Sequence, residues 1–353
     1  MKKKKSIHDL ARELKVSATT ISFVLNGKAE EKRISSEVTK KILKYVKEVG
    51  YRPNLLAKSL RTGQSKTIGM LVEGISDNFF ASIARGVEEE AYKTGYKIFN
   101  SSTDNNTKKA RELIKAFRER QVDGYIIAPA PGIEEDIKAL IDENYPVIIF
   151  DRYFPEVQSN IIIVDNFGGA YNAIHHLIEN KFKRIAFVTI DSIQIQMEDR
   201  LKGYLKATEE NGLKQCILKI PFPSTHEVIT ENVKSFLVEN HQLDAVLFST
   251  NYIANGGLKA INELGLKIPD NIGVIGFDDS YHFSLFTPAI TCVAQPLEEI
   301  AHQIVKKLMT SLQDDNRKAN IETIILPTNL IIRKSSLMPH AKKTGKSLKI
   351  NTA

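Results

Sequence analysis

The chain has 353 residues, of which 42% are hydrophobic and 26% charged, and this balance excludes a collagen-like, a disordered or a disulfide-built protein. No apolar run approaches the ~20 residues that cross a bilayer, and the charged stretch after residue 5 lacks the apolar part of a signal peptide. We therefore expect a cytoplasmic protein. Its two cysteines, Cys216 and Cys292, are too few for a disulfide framework or a cysteine-built zinc site.

The charge is distributed unevenly along the chain. Residues 1–66 carry 17 Lys+Arg and 6 Asp+Glu, and residues 337–353 carry four lysines, so the total of +7 leaves −8 for the residues between. A small basic head on a large acidic body is typical of a protein whose head binds a polyanion. Membrane binding is the alternative, but it requires an amphipathic helix with a large apolar face, which the head lacks.

Three short helices are predicted in residues 1–50. Serines stand where N-caps belong: Ser6 opens a capping-box pattern, Ser17 precedes the second helix, and Ser35 or Ser36 caps the third. Only a few residues separate the first two helices, and this tight connection is typical of a helix-turn-helix. We interpret residues 1–50 as a helix-turn-helix DNA-binding domain.

The predicted second helix has an apolar face and an outer, polar face that is interrupted by Phe23. In a helix-turn-helix, the outer face of the second helix enters the major groove. A plain solvated surface is the alternative, although an exposed phenyl ring fits that alternative poorly. At about 100° per residue, the apolar face comprises Ile21, Val24 and Leu25, and the outer face comprises Thr19, Ser22, Phe23 and Asn26.

The run SIHDLARELKVSATTISFVLNGK is followed by the motifs G-Y-x-P-N, A-x-S-L and T-I-G. This series resembles the lac-repressor and galactose-repressor family of bacterial transcription regulators, and the resemblance continues to about residue 335. It implies an α/β protein with an all-α helix-turn-helix head, a hinge helix, and a two-lobed body like the type I periplasmic binding proteins. It also implies a homodimer that binds a pseudo-palindromic double-stranded DNA operator and a small-molecule effector.

The resemblance assigns DNA-contacting roles within the head. Phe23 stands where many family members place an arginine, and because a phenyl ring has no donors, it is restricted to apolar contacts such as a thymine methyl. The positions that read bases in the major groove are Ala18, Thr19, Ser22 and Phe23. The positions that contact phosphates are Ser6, Ser17, Thr20, Asn26 and Tyr51.

Residues 51–65 look like the hinge helix and linker of this family. A helix of about two turns is unstable alone in water, and the resemblance implies that it orders when two copies pair in the minor groove. Leu60 supplies the apolar wedge that kinks the duplex there, and an ordinary linker leucine is the alternative. The minor-groove positions are Asn54, Ala57, Lys58, Leu60 and Arg61.

The body, residues 66–336, alternates β-branched apolar strands with helical patterns, which predicts parallel sheets covered on both faces. By the resemblance, we place lobe one at 66–165 and 295–320, and lobe two at 166–294 and 321–336. The basic tail, 337–353, has no heptad repeat that would join dimers, so we expect it to be disordered and the protein to be a dimer.

Such folds bind ligands in the cleft at the carboxyl ends of their strands. The candidates follow strand-like runs and match the effector-contacting positions of the family. Carboxylates and arginine suit sugar hydroxyls and aromatic rings suit the apolar face of a sugar, although the two phenylalanines could instead belong to the core. The candidates are Asp77, Phe79, Phe80, Asp151, Arg200, Asn251 and Asp278.

The sequence lacks the motifs of enzymes with comparable folds. No strand is followed by G-x-G-x-x-G, and the phosphate-binding loop, the nucleophile elbow and H-E-x-x-H are missing. We therefore expect neither enzyme activity, nor a cofactor, nor a metal. The prediction is a repressor of carbohydrate-use genes that is switched by a sugar or sugar derivative. The alternatives are control by a protein partner or a purine-type ligand, and a sugar-binding protein without a regulatory role.

Overall fold

The computed structural model describes residues 5–51, 63–222, 224–314 and 320–338. Most of the predicted hinge and tail, including all five minor-groove positions, lies outside these residues. The chain divides after Lys66 into two compact units, a head and a body. Within the described part of the chain, no helix is long and apolar enough to cross a membrane.

The described part of the head contains three helices, and each begins at a serine that the sequence offers as its cap, the third at Ser35. Ser6 forms a complete capping box with Asp9, while Ser17 and Ser35 each accept a hydrogen bond from a backbone N–H of the first turn. The helices are α1 (Ile7–Leu14), α2 (Ala18–Leu25) and α3 (Ser36–Glu48). Their buried core consists of Leu10, Leu14, Ile21, Val24 and Ile42.

The body alternates strands and helices. Its first part contains β1 (Thr67–Val72), α4 (Asn78–Lys93), β2 (Lys97–Ser102), α5 (Thr107–Glu119), β3 (Gly124–Ile127), α6 (Glu134–Asp142), β4 (Val147–Phe150) and β5 (Asn160–Val164). The second part contains α7 (Asn166–Glu179), β6 (Ile185–Ile190), α8 (Ile195–Glu210), β7 (Cys216–Ile220), α9 (His226–Glu239), β8 (Ala245–Phe248), α10 (Asn251–Glu263), β9 (Gly273–Phe277), α11 (Tyr281–Leu285) and β10 (Thr291–Ala294). The last elements of the described chain are α12 (Leu297–Gln313), β11 (Thr323–Leu326), β12 (Asn329–Ile331) and a 3₁₀ turn (Lys334–Ser336).

The strands of the described residues form two six-stranded sheets, one in each lobe. The first sheet has the order β11-β5-β4-β3-β1-β2 and is parallel throughout. The second has the order β12-β10-β9-β8-β6-β7, in which only the β10–β12 pair is antiparallel. Each sheet has apolar clusters on both faces, which accounts for the continuous β-branched runs in the sequence.

The predicted lobe boundary between residues 320 and 321 is wrong. Strand β11 pairs in parallel with β5, with Leu326 opposite Val164, so it belongs to the first sheet. Strand β12 pairs with β10 in the second sheet. The chain changes lobe at Pro327 and Thr328, where a proline that lacks a backbone N–H ends the strand. The prediction from the family resemblance had placed both strands in lobe two.

Candidate functional site

The outer face of α2 is a candidate nucleic-acid interface. Of the residues predicted for the apolar face, Ile21 and Val24 are buried, at 0% and 5% exposure, and Leu25 is half-buried. Of the outer face, Thr19 and Asn26 are exposed and Ser22 is half-buried. Ser22 accepts a hydrogen bond on its carbonyl oxygen from the Asn26 side-chain amide (2.7 Å). The described structure therefore separates the two faces as the helical spacing predicts.

The Phe23 ring is half-buried rather than fully exposed. Lys32 lies over it, with the ammonium nitrogen 5.6 Å from the ring centroid, and also pairs with Glu31 at 2.8 Å. A cation over an aromatic face at an exposed site contributes about 0.5–1 kcal/mol. Phe23 and Lys32 thus form a cation–π pair on the outer side of the head.

The predicted phosphate-contacting residues lie at helix ends of the head. Ser17 and Thr20 share a hydrogen bond between their hydroxyl oxygens (2.8 Å), and the Ser6 hydroxyl donates to Asp9 (2.7 Å). Tyr51 is half-buried against the core of the head. The N-terminus of a helix is a favourable place for an anion because its backbone N–H groups point outward.

A cavity of about 240 Å³ lies between the two lobes, at the carboxyl ends of the strands. All the effector candidates chosen from the sequence line this one cavity, although they come from different strands and from both lobes. Lobe one contributes Asp77, Phe79, Phe80 and Asp151, and lobe two contributes Arg200, Asn251 and Asp278.

Arg200 is a buried cation on the lobe-two side of the cavity, and it is 2% exposed. Its Nε donates to the Asn166 side chain (2.9 Å), and one terminal nitrogen donates to the Ser249 carbonyl (2.6 Å). The guanidinium stacks 3.6 Å above the centroid of the Phe277 ring. Its distance to the Asp278 carboxylate is 3.8 Å, so the two charges attract without a hydrogen bond.

Asp278 directly follows strand β9 and has a left-handed backbone (φ +70°). Its side chain lines the cavity. Its N–H donates to the Val293 carbonyl (2.9 Å), and its carboxylate accepts from Gln295 (2.6 Å). Burial raises the pKa of Asp278, while Arg200 and Gln295 act in the opposite direction. This carboxylate is held ready to accept hydrogen bonds from a ligand.

Asp151 occupies the corresponding place after β4, also with a left-handed backbone (φ +68°). Burial raises its pKa to about 6, because the attraction of Arg152 and Arg200 compensates only in part. Arg152 Nε lies 3.7 Å from the Asp151 carboxylate, and its terminal nitrogen donates to Glu73 (2.8 Å). Two buried arginines and several carboxyl groups therefore face each other across the cleft.

The remaining lobe-one candidates have structural roles in addition to lining the cavity. The Asp77 carboxylate caps α4 by accepting from the Phe79 N–H (2.8 Å), and burial raises its pKa. Phe79 and Phe80 meet edge to face, with centroids 5.0 Å apart, and Phe80 also packs on Phe150. Both phenylalanines belong to the lobe-one core and present part of their surface to the cleft.

Several polar residues of the cavity were not predicted from the sequence. Arg152 is 4% and Gln196 is 3% exposed, and among the described residues neither Arg152 Nε nor Gln196 Oε1 has a hydrogen-bond partner. Gln295, which follows β10, could have been found by the same strand-end rule that found Asp278. The missed cavity residues with polar side chains include Glu73, Arg152, Gln196, Tyr252 and Gln295.

Both the head and the body match known protein families. Residues 6–54 match the model of bacterial regulatory proteins of the lacI family, and residues 174–336 match the periplasmic binding protein-like domain. The ribose operon repressor of Halalkalibacterium halodurans is 30% identical over 94% of this chain and 97% of its own length.

Two solved structures have the same fold. The lac repressor dimer bound to operator and the anti-inducer ONPF aligns with a TM-score of 0.83 at 23% identity, over 95% of this chain and 100% of that one. A lacI-family regulator from Enterococcus faecium with bound ribose aligns with a TM-score of 0.70 at 25% identity, over 78% of this chain and 100% of that one.

A helix-turn-helix head on a periplasmic-binding-protein-like body defines a class of transcription regulator. This chain belongs to the lacI family of bacterial regulatory proteins. The prediction that it is a DNA-binding regulator rather than an enzyme is confirmed by this membership.

Proposed function

We propose that this protein is a cytoplasmic, homodimeric repressor of carbohydrate-use genes whose operator affinity changes when a neutral monosaccharide of the ribose class fills the interlobe cleft. The observation that carries the proposal is the convergence of all the effector candidates, from both lobes, on one cavity. A ligand that contacts both lobes favours the closed cleft, and it shifts the equilibrium by its difference in affinity for the two states.

The head binds operator DNA in this proposal through three sets of contacts. Thr19, Ser22 and Phe23, with Ala18, read base edges in the major groove. The caps of the helices contact phosphates, and the net charge of +11 in residues 1–66 supplies the sequence-independent attraction. The hinge positions, which lie outside the described residues, insert Leu60 into the minor groove when two copies pair. The dimeric form of the lac repressor on its operator supports this arrangement.

The charge of the cavity favours a neutral ligand over an anionic one. Among the described residues, four carboxyl groups line it (Glu73, Asp77, Asp151 and Asp278), together with two arginines. A phosphate or sugar acid would add negative charge among these carboxylates, in a buried place where screening by salt is weak. A polyhydroxyl ligand instead donates to the carboxylates and accepts from the arginines.

The unpaired polar atoms in the cavity favour a ligand rich in hydroxyls. A buried donor or acceptor without a partner costs about 1–3 kcal/mol, and a ligand hydroxyl near Arg152 Nε or Gln196 Oε1 would remove that cost. The aromatic edges of Phe79 and Phe80 supply apolar surface for the carbon face of a sugar. The bound ribose of the Enterococcus faecium regulator and the name of the Halalkalibacterium halodurans relative support a pentose.

A melting screen of the full chain tests the ligand class, since a ligand that binds only the folded state raises the melting temperature. The panel contains D-ribose, D-xylose, D-glucose, ribose 5-phosphate, gluconate and hypoxanthine. We expect a shift with ribose and a smaller shift or none with its phosphate. A shift with hypoxanthine alone would favour the purine-type alternative, and no shift with any member would favour a protein partner.

A further inference from the structure

A two-pronged ion pair lies directly behind the effector-facing carboxylate of Asp278. The two terminal nitrogens of Arg333 each lie 3.0 Å from a different oxygen of Asp279, the next residue along the chain. Such bidentate pairs are among the strongest side-chain interactions because both hydrogen bonds are charge-assisted and the geometry is fixed. The pair joins the end of β9 to a residue 54 positions later in the sequence.

The same cluster is tied to strand β10 by several further contacts. Arg333 donates to the Ile290 carbonyl (2.7 Å) and lies 3.2 Å from the Cys292 sulfur, while the Cys292 thiol donates to Asp279 (3.1 Å). The Arg333 backbone N–H donates to the Thr291 hydroxyl (2.8 Å). Although burial acts in the opposite direction, the hydrogen bonds from Arg333 and Cys292 lower the pKa of Asp279. The carboxylate is therefore ionised at neutral pH.

This cluster restricts the backbone that aims Asp278 at the cleft. Asp278 has a left-handed φ of +70°, a conformation that residues with a side chain adopt less readily than glycine and that the surroundings must hold. Gln295 donates to the Asp278 carboxylate (2.6 Å) and Arg200 lies 3.8 Å from it, so these two contacts orient the side chain, whereas the Asp279–Arg333 pair acts on the backbone from which that side chain projects. Fixing the Asp279 carboxylate restricts rotation of the peptide that joins the two aspartates.

We propose that Asp279 and Arg333 are positioning residues for effector binding, which hold the Asp278 carboxylate in its binding orientation and make effector affinity depend on the C-terminal segment of the body. The inference rests on the proposed sugar site. Neither residue lines the cavity, so their effect on a ligand is exerted through Asp278.

The same lobe contains a matched control at the opposite end of its strands. Asp244 precedes β8, accepts hydrogen bonds from the backbone N–H groups of Lys183 (3.1 Å) and Arg184 (2.9 Å), and lies 3.7 Å from Arg184 Nε. It is a comparably networked aspartate at the amino ends of the strands, away from the cleft. D244N therefore shows how the loss of a structural carboxylate in this lobe affects melting temperature and ribose affinity.

The test measures D-ribose binding by calorimetry for the full-length wild type, D279N, R333Q, the D279N/R333Q double variant and D244N. Melting and operator binding without ligand are followed in parallel. We expect D279N and R333Q each to bind ribose about tenfold more weakly, the loss that follows when one charge-assisted hydrogen bond is misaligned. The double variant should be no weaker than the worse single variant, since both changes act on one contact.

D244N should lower the melting temperature and leave ribose affinity within about twofold of wild type, as expected for sites that share no partner. Ribose affinity in D279N that matches D244N would overturn the positioning role, and so would additive losses in the double variant. A wild type that binds no ribose would instead contradict the proposed sugar site, and the inference with it, so the two failures are distinguishable.

Discussion

Asp151 should make the unliganded protein less stable at neutral pH, and Asp151→Asn should remove that cost. Burial raises its pKa from 3.8 to about 6. One pKa unit corresponds to about 1.4 kcal/mol, so the folded state loses about 3 kcal/mol at pH 7.5 by keeping this carboxylate ionised. Asparagine has the same shape and tolerates the left-handed backbone at this position. We therefore expect D151N to be more stable than wild type by up to about 3 kcal/mol.

The pH dependence of this difference has a definite sign. Because the folded pKa of Asp151 is raised above the unfolded value, the wild type loses stability from this group as the pH rises from about 4 to about 6. The advantage of D151N should thus fall from about 3 kcal/mol at pH 7.5 to about 1 kcal/mol at pH 4.5. Urea unfolding of wild type and D151N at pH 7.5 and pH 4.5 measures this difference in the free energy of unfolding.

Asp104→Asn provides the control for backbone effects. Asp104 also has a left-handed backbone (φ +52°), but its side chain is 66% exposed. Its substitution should change stability by less than about 0.5 kcal/mol at either pH. The reasoning would be refuted by a D151N protein that is no more stable than wild type at pH 7.5, or by an advantage that does not change with pH.

Three further predictions concern binding. Operator affinity should fall steeply between about 50 and 200 mM salt, as measured by anisotropy, and a flat dependence would contradict the role of the basic head. Phe23→Ala should change which operators are selected from a randomised pool, whereas Leu60→Ala should reduce DNA bending without changing ribose affinity. Asp278→Ala and Arg200→Ala should each weaken ribose binding more than about tenfold but keep operator binding, with melting checked alongside; unchanged ribose affinity in both would contradict the cleft assignment.

Local features of the fold were predictable from the sequence because their causes are local. Ser6 and Ser17 cap their helices as predicted, and of the two serines predicted for the third helix, Ser35 is the cap. The strand-end rule found Asp151 and Asp278 because parallel strands bring their carboxyl ends to one edge. The strands β11 and β12 were assigned to one lobe because nothing local shows that two adjacent short strands join different sheets.

Features that depend on distant partners were not predictable. The contact between the Lys32 ammonium group and the Phe23 ring depends on how the loop after α2 folds back onto that helix. The role of Asp279 depends on its bidentate partner Arg333, which lies on a segment that meets β9 only in the folded body. The unpaired atoms of Arg152 and Gln196 likewise depend on burial, which a single sequence does not reveal.

The most direct test of the central claim is the operator dissociation constant of the full-length protein, measured with and without saturating D-ribose. Coupling between two sites of an allosteric protein is typically about 5–150-fold. We expect ribose to change operator affinity by about tenfold or more in wild type and to leave it unchanged in D278A. Equal operator affinity with and without ribose, in a wild type shown by calorimetry to bind the sugar, would contradict the claim that the cleft controls the head.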